Sequence, residues 1–97
     1  MKPFRWSSDK NDLIRLERGL SFERVVVAID TGGLLDVTEH PNQAKYPNQS
    51  ILVVSIENYV YLVPFVEEEN SYFLKTVIPS RKATRDYLQK GEPNVQS

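Results

Sequence analysis

Three short apolar runs crowded between Ile51 and Ile78 leave this chain few ways to fold. They read Ile51-Leu-Val-Val-Ser-Ile56, Tyr59-Val-Tyr-Leu-Val-Pro-Phe-Val66 and Tyr72-Phe-Leu-Lys-Thr-Val-Ile78. Each is rich in β-branched and aromatic side chains and bounded by Asn, Glu or Pro, the signature of consecutive antiparallel strands joined by tight turns. The first run is apolar at nearly every position, which predicts a central strand covered on both faces. In the second, Tyr59, Tyr61, Val63 and Phe65 alternate onto one face, while Pro64 has no N–H to donate and calls for a sheet edge or a bulge. Lys75 is the one charge of the third run, and alternation sets it on the face of Phe73 and Val77.

The flanks supply helices. Phe4 and Trp6 alternate around Arg5, which predicts a short strand with both aromatics on the core. Ser7 or Ser8 caps a helix whose first turn holds Asp9. Leu13, Leu16 and Leu20 recur at i, i+3 and i+7, so they are expected to face inward, with Lys10, Arg15, Glu17 and Arg18 outward until Gly19 stops the helix. Ser21 caps a second helix, in which Phe22, Val25, Val26 and Ile29 repeat at helical spacing before Thr31-Gly32-Gly33 ends it; its three consecutive valines would equally suit a strand. Glu23, in the first turn, complements the helix dipole or serves as a catalytic group. Leu34 to Thr38 reads as a short strand, and the polar segment from Glu39 to Gln49, broken by Pro41 and Pro47, as a long loop. His40 within it is either an exposed ring or a general base. Glu67-Glu68-Glu69 reads as a solvated turn.

After Pro79, Ser80 caps a short helix. Arg81 and Arg85, at i and i+4, stack outward with Lys82 beside them, and Thr84, Tyr87 and Leu88 form the inward stripe. The expected whole is one α+β domain over residues 1 to 90, with two N-terminal helices, an antiparallel sheet of about four strands and a short C-terminal helix. Residues 91 to 97 are polar, hold Gly and Pro, and are expected to form a disordered tail.

Charge is segregated along the chain. Residues 1 to 24 carry six cations against four carboxylates, residues 75 to 97 carry five against two, and the middle has Lys45 against seven carboxylates. If folding joins the two basic ends, one face suits a polyanion although the net charge is only −1. No cysteine is present, and His40 is the single histidine, so neither a thiol nucleophile nor a His/Cys metal set is available and no cofactor is expected. No run approaches the roughly 18 apolar residues of a membrane span, and the start lacks an apolar leader, so a soluble cytoplasmic protein is expected.

Three motifs tie these elements to a known family. Ser80-Arg-Lys-Ala-Thr-Arg85 resembles the "SARKATR" element of BrnT-type toxins, Gly19-Leu-Ser-Phe-Glu23 their "HGVSFE" helix junction, and Phe4-Arg-Trp6 with Lys10 their opening "FEWD..K". The motifs occur in the same order over most of the chain. The resemblance implies a RelE-like fold and the toxin role in a bacterial type II toxin–antitoxin pair. It further implies metal-independent RNA cleavage, neutralisation by a cognate antitoxin with a ribbon-helix-helix part, and a possible homodimer within the toxin–antitoxin complex. Glu23, Arg81 and Arg85 are then the catalytic candidates, and Lys75, Lys82, Lys10 and Arg18 the candidate RNA phosphate contacts. The chain departs from the family pattern at Glu17-Arg18, where Lys-His is usual, and at Gln49 and Thr76, where arginines are usual. Those departures motivate the alternative of a non-catalytic module that binds an antitoxin and an operator.

Overall fold

The computed structural model describes residues 2–89, so the expected tail over residues 91 to 97 lies outside the described part. The elements run β1 (Phe4–Arg5), α1 (Ser8–Arg18), α2 (Phe22–Asp30), β2 (Leu34–Glu39), β3 (Gln49–Ile56), β4 (Tyr59–Glu67), β5 (Tyr72–Leu74), β6 (Ile78–Pro79) and α3 (Arg81–Thr84), which continues into a π-helical turn over Arg85–Gln89. The class is the expected mixture of helices and sheet, but the sheet has six strands. Their order is β1-β5-β4-β3-β2, with β6 also on β4, and the β1–β5 pair is parallel.

The β3–β4 hairpin forms because Glu57 and Asn58 both adopt positive φ, 52° and 66°, the turn geometry that matches strand twist. Along this hairpin, alternation divides the side chains. Leu52, Val54, Ile56, Val63 and Phe65 face one way and share a core with Ile14 of α1 and with Phe22, Val25 and Ala28 of α2. Val53 and Val60 face the other way and pack with Ala83, flanked by Leu62 and Leu88. The sheet therefore carries α1 and α2 on one face and α3 on the opposite one.

Pro64 does not lie at an edge; the neighbouring run bulges opposite it, setting Lys75, Thr76 and Val77 against Val63 and Pro64 between the Leu74–Phe65 and Ile78–Leu62 pairs. Ser55 donates its N–H to Gly33 and Gln49 accepts from His40, so odd-numbered residues of β3 bond toward β2 and even-numbered ones toward β4. Pro64 sits opposite Ile51, an odd position, so its nitrogen points away from β3. On that side the third apolar run is broken into β5 and β6, which pair with β4 over Phe65–Glu67 and Tyr61–Leu62. The missing donor falls between the two pieces, where Lys75 N–H reaches the Pro64 carbonyl at 2.8 Å. The break also separates Val77 from Phe73: Val77 is fully buried in the core beneath α1 and α2, not beside Lys75 as alternation implied.

The helix starts follow their serines. Ser7 Oγ accepts from Lys10 N–H at 3.2 Å and Ser21 Oγ from Arg24 N–H at 3.1 Å. Gly19 closes α1 at φ 67°, donating to the Arg15 carbonyl. Gly33 is fixed by crowding, since a Cβ there would sit 2.6 Å from the Ser55 carbonyl oxygen and 2.8 Å from that of Ala28.

Of the three leucines expected to face inward, Leu20, just past the end of α1, packs against the core, whereas the two on the helix itself do not. The buried residues of α1 are Asn11 and Ile14, while Leu16 is 84% exposed and Leu13 42% exposed. At 100° per residue Leu13 and Leu16 lie almost opposite the Asn11–Ile14 side. The side-chain amide of Asn11 decides which side goes in. Its Oδ1 accepts from Phe22 N–H at 2.8 Å, and that donor at the start of α2 has no helical partner.

At the other end of the chain, Val60 anchors α3. Its outward carbonyl accepts from Ser80 N–H at 3.0 Å, and its outward N–H donates to Thr84 Oγ1 at 2.9 Å. Ser80 Oγ also accepts from Ala83 N–H at 3.0 Å. Thr84→Val keeps the shape but strands the fully buried Val60 N–H. It should lower unfolding free energy by about 1–3 kcal/mol. The exposed Arg81→Ala should shift it by less than about 0.5 kcal/mol, both read from denaturant midpoints.

Candidate nucleic-acid interface

The α3 face of the sheet collects cations and one aromatic ring from two parts of the chain. Ser80, Ala83 and Thr84 turn inward as described, which leaves Arg81, Lys82 and Arg85 exposed. Arg85 N–H donates to the Arg81 carbonyl, so the two arginines sit one turn apart on the same side. On the sheet, Phe73 pairs across β1 with Arg5, whose guanidinium lies 5.9 Å from the ring centroid, and Lys75 Nζ lies 5.5 Å from it. Lys75 is level with Pro64 and Ile78 level with Leu62, two residues or about 7 Å apart along β4. The cationic helix thus starts close to the Lys75–Phe73–Arg5 patch, on the same face.

Carboxylates temper this surface unevenly. Lys82 Nζ is 2.8 Å from Asp86 Oδ2 and Arg85 Nε 3.7 Å from Asp86 Oδ1, while Arg5 reaches Glu68 at 3.4 Å. Among the described residues neither Arg81 nor Lys75 has an ion-pair partner. Tyr87, expected inward, is 42% exposed; its hydroxyl donates to Asp36 Oδ2 at 2.7 Å, and that hydrogen bond to a carboxylate raises the phenol above its ordinary pKa. The π-helical turn accompanies this shift, with Leu88 packing on the sheet and Tyr87 reaching β2.

Glu23, Lys10 and Arg18 belong to α1 and α2, across the sheet from Arg81 and Arg85. Glu23 is part of a joint between those helices. Asn11 Nδ2 donates to Glu23 Oε1 at 2.8 Å, and Arg15 reaches the same oxygen at 3.3 Å. The Asn11 hydrogen bond and then the backbone N–H of Glu23 itself hold its carboxyl below the usual 4.5, outweighing desolvation, with lesser help from the charge of Arg15. A stronger acid is a weaker base, so these contacts move Glu23 away from general-base duty near neutral pH. Arg18 lines a small hollow of about 280 Å³ with Leu20, Glu57 and Tyr59, and Lys10 is half-buried on α1.

The remaining sequence candidates also find local roles. His40 Nδ1 accepts from Asn42 N–H at 3.0 Å and the ring lies 4.5 Å from that of Tyr46, shaping the β2–β3 loop. Trp6 stacks on Phe22 at 5.6 Å in the core. The Glu67–Glu69 turn does more than sit in solvent: Glu67 binds Lys2 at 2.7 Å and Glu68 binds both Arg5 and Ser71, fastening β1 to the sheet. Among the described residues no three His, Cys, Asp or Glu side chains group to hold a metal ion, and no helix is long and apolar enough to cross a membrane. Sequence reading missed Arg5 and Phe73, although alternation around Phe4 and Trp6 already pointed Arg5 away from the core.

Because the folded-state pKa of Glu23 is depressed, its contribution to stability is complete above the unfolded-state value near 4.5 and is lost as pH falls through the folded-state value. Glu23→Gln should therefore be less stable than the parent at pH 7, with the gap narrowing below about pH 5. Thermal melts of both proteins across that range check the sign. Compared with models of protein families, with curated proteins and with solved structures, the chain matches none of them.

Proposed function

We propose that the chain is a toxin component of a bacterial type II toxin–antitoxin pair, of the BrnT kind and RelE-like in fold, acting on RNA in the cytoplasm and restrained by a cognate ribbon-helix-helix antitoxin. The observation that carries the reading is the outward trio Arg81, Lys82 and Arg85, set on α3 beside Lys75, Phe73 and Arg5. The resemblance, whose Ser80–Arg85 element contains the same trio, adds the Gly19–Glu23 and Phe4–Lys10 motifs in support. Guanidinium forks match phosphate oxygens and keep their charge at every physiological pH, and aromatic rings between cations suit an unpaired base. In a metal-independent cleavage an RNA 2′-hydroxyl gives its proton to solvent water and attacks the adjacent phosphate; the P–O5′ bond breaks, leaving a 2′,3′-cyclic phosphate, and the departing 5′-oxygen takes up a proton from water. Arg81 and Arg85 then stabilise the charge that builds on the phosphorane. Glu23 has no part in that step, because the sheet stands between it and the arginines.

A second reading, a non-catalytic module of the same fold that binds an antitoxin and an operator, is favoured by one observation. Glu23, the acidic member of the candidate catalytic set, is tied to Asn11 and Arg15 on the far face. RNA titrations with the purified chain, with and without ribosomes, separate the two. Saturable binding with cleavage supports the toxin reading; binding with intact RNA selects the module. In either case Arg81→Ala combined with Arg85→Ala should cut RNA affinity at least about tenfold and flatten the salt dependence of log K by about 1.4. If the unmodified chain arrests growth, the double variant should relieve the arrest; undiminished RNA binding by that variant would remove α3 from the interface.

A further inference from the structure

Phe73 is a large aromatic whose place packing does not explain. The chain has four phenylalanines and one tryptophan. Phe4, Trp6, Phe22 and Phe65 all join or lean on the core beneath α1 and α2. Phe73 belongs to neither apolar cluster and, among the described residues, pairs with no other aromatic ring. It lies half-buried on the α3 face, where two cations approach its ring: Arg5, its neighbour across the β1–β5 pair, and Lys75, two residues further along the chain.

A ring held at the surface among cations suits a ligand that repeats a phosphate and a flat apolar face. Unpaired nucleic acid is such a ligand, because each nucleotide offers its phosphate to a cation and its base to a ring. A duplex keeps its base faces inside the stack and would meet the cations alone. Both cations are able to leave the ring for a phosphate. Lys75 is exposed, and the Arg5 side chain is 64% exposed, with a 3.4 Å contact to Glu68 of the weak surface kind. Phe73 stands opposite Val66 and Ile78 opposite Leu62, so the ring is four residues, about 13 Å, along β4 from the strand that leads into α3. One strand of a few nucleotides can therefore lie across the ring and the helix together.

We infer that Phe73 is a stacking platform for an unpaired RNA base, with Lys75 and Arg5 leaving the ring to take the adjoining phosphates. The inference rests on the RNA-binding reading of the α3 face and deepens it. Arg81 and Arg85 hold backbone, whereas Phe73 makes the face prefer single strands to duplexes.

The test measures, at several salt concentrations, binding of the full chain to a uridine strand of about 12 nucleotides, to an RNA duplex of the same length and to inorganic polyphosphate, a polyanion without bases. Phe73→Leu should weaken the single strand at least about fivefold while leaving its salt slope, the duplex and polyphosphate unchanged, since no phosphate contact is lost. Lys75→Ala should instead flatten the single-strand slope by about 0.7. Phe73→Trp keeps a large ring and should hold the parental affinity. Its new indole should be quenched by the single strand and not by polyphosphate, while Trp6, stacked on Phe22 in the core, stays constant as the internal reference. This second variant carries the test if Phe73→Leu unfolds. Undiminished single-strand binding by Phe73→Leu, an equal loss of polyphosphate binding, or quenching of the new indole by polyphosphate as deep as by RNA would overturn the inference and leave Arg81 and Arg85 in their role. Absence of RNA binding by the unmodified chain would overturn the functional reading and the inference with it.

Discussion

Side-chain alternation along β3 and β4 governs everything else in this molecule. One hairpin feeds two apolar clusters, so Val54 and Val53, adjacent in sequence, end in different cores. A single-residue slip in register would exchange the two sets and bury Ser55 where Val54 belongs. The sheet is consequently a partition. Groups on α1 and α2 can influence groups on α3 only through the strands, and no small substrate could touch both at once.

That partition decides between readings that composition leaves equal. Basic residues at both ends of the chain invite the idea that the ends converge, and they do so through one residue: Arg5, delivered by the two-residue strand β1 onto the same face as Lys75. The cations of α1 stay on the other side. Glu23 resembles a catalytic acid or base in a linear reading because it begins a helix beside a motif. In three dimensions it completes a polar joint in which one buried amide, Asn11, serves both the Phe22 N–H and the Glu23 carboxylate. The joint also holds the Asn11 side of α1 inward, because turning it out would leave the buried Phe22 N–H unpaired, at a cost of about 1–3 kcal/mol.

Local chemistry was legible in the sequence. The three serine caps, the left-handed Gly19, the Asn58 turn and the three apolar runs all depend on neighbours within a few positions, where spacing alone carries the information. What stayed hidden depends on distant partners. The leucine period of α1 placed Leu20 on the core correctly but Leu13 and Leu16 on the wrong side, since the hydrogen bond to the buried Asn11 comes from a residue eleven positions later. The division of the last run into β5 and β6 follows from a proline on the neighbouring strand, and the exposure of Tyr87 follows from a π-helical turn and an aspartate on β2. The cationic face was half legible: the arginines of α3 were visible as a pattern, while Arg5 and Phe73 required the parallel β1–β5 pairing.

The run from Ser80 to Arg85 divides its labour residue by residue. Ser80, Ala83 and Thr84 hold the helix to Val60 and the sheet, whereas Arg81, Lys82 and Arg85 contribute little to that attachment. Under selection the two sets are free to drift at different speeds: the anchoring trio constrained by folding in every descendant, the charged trio altered or discarded without the architecture registering the difference.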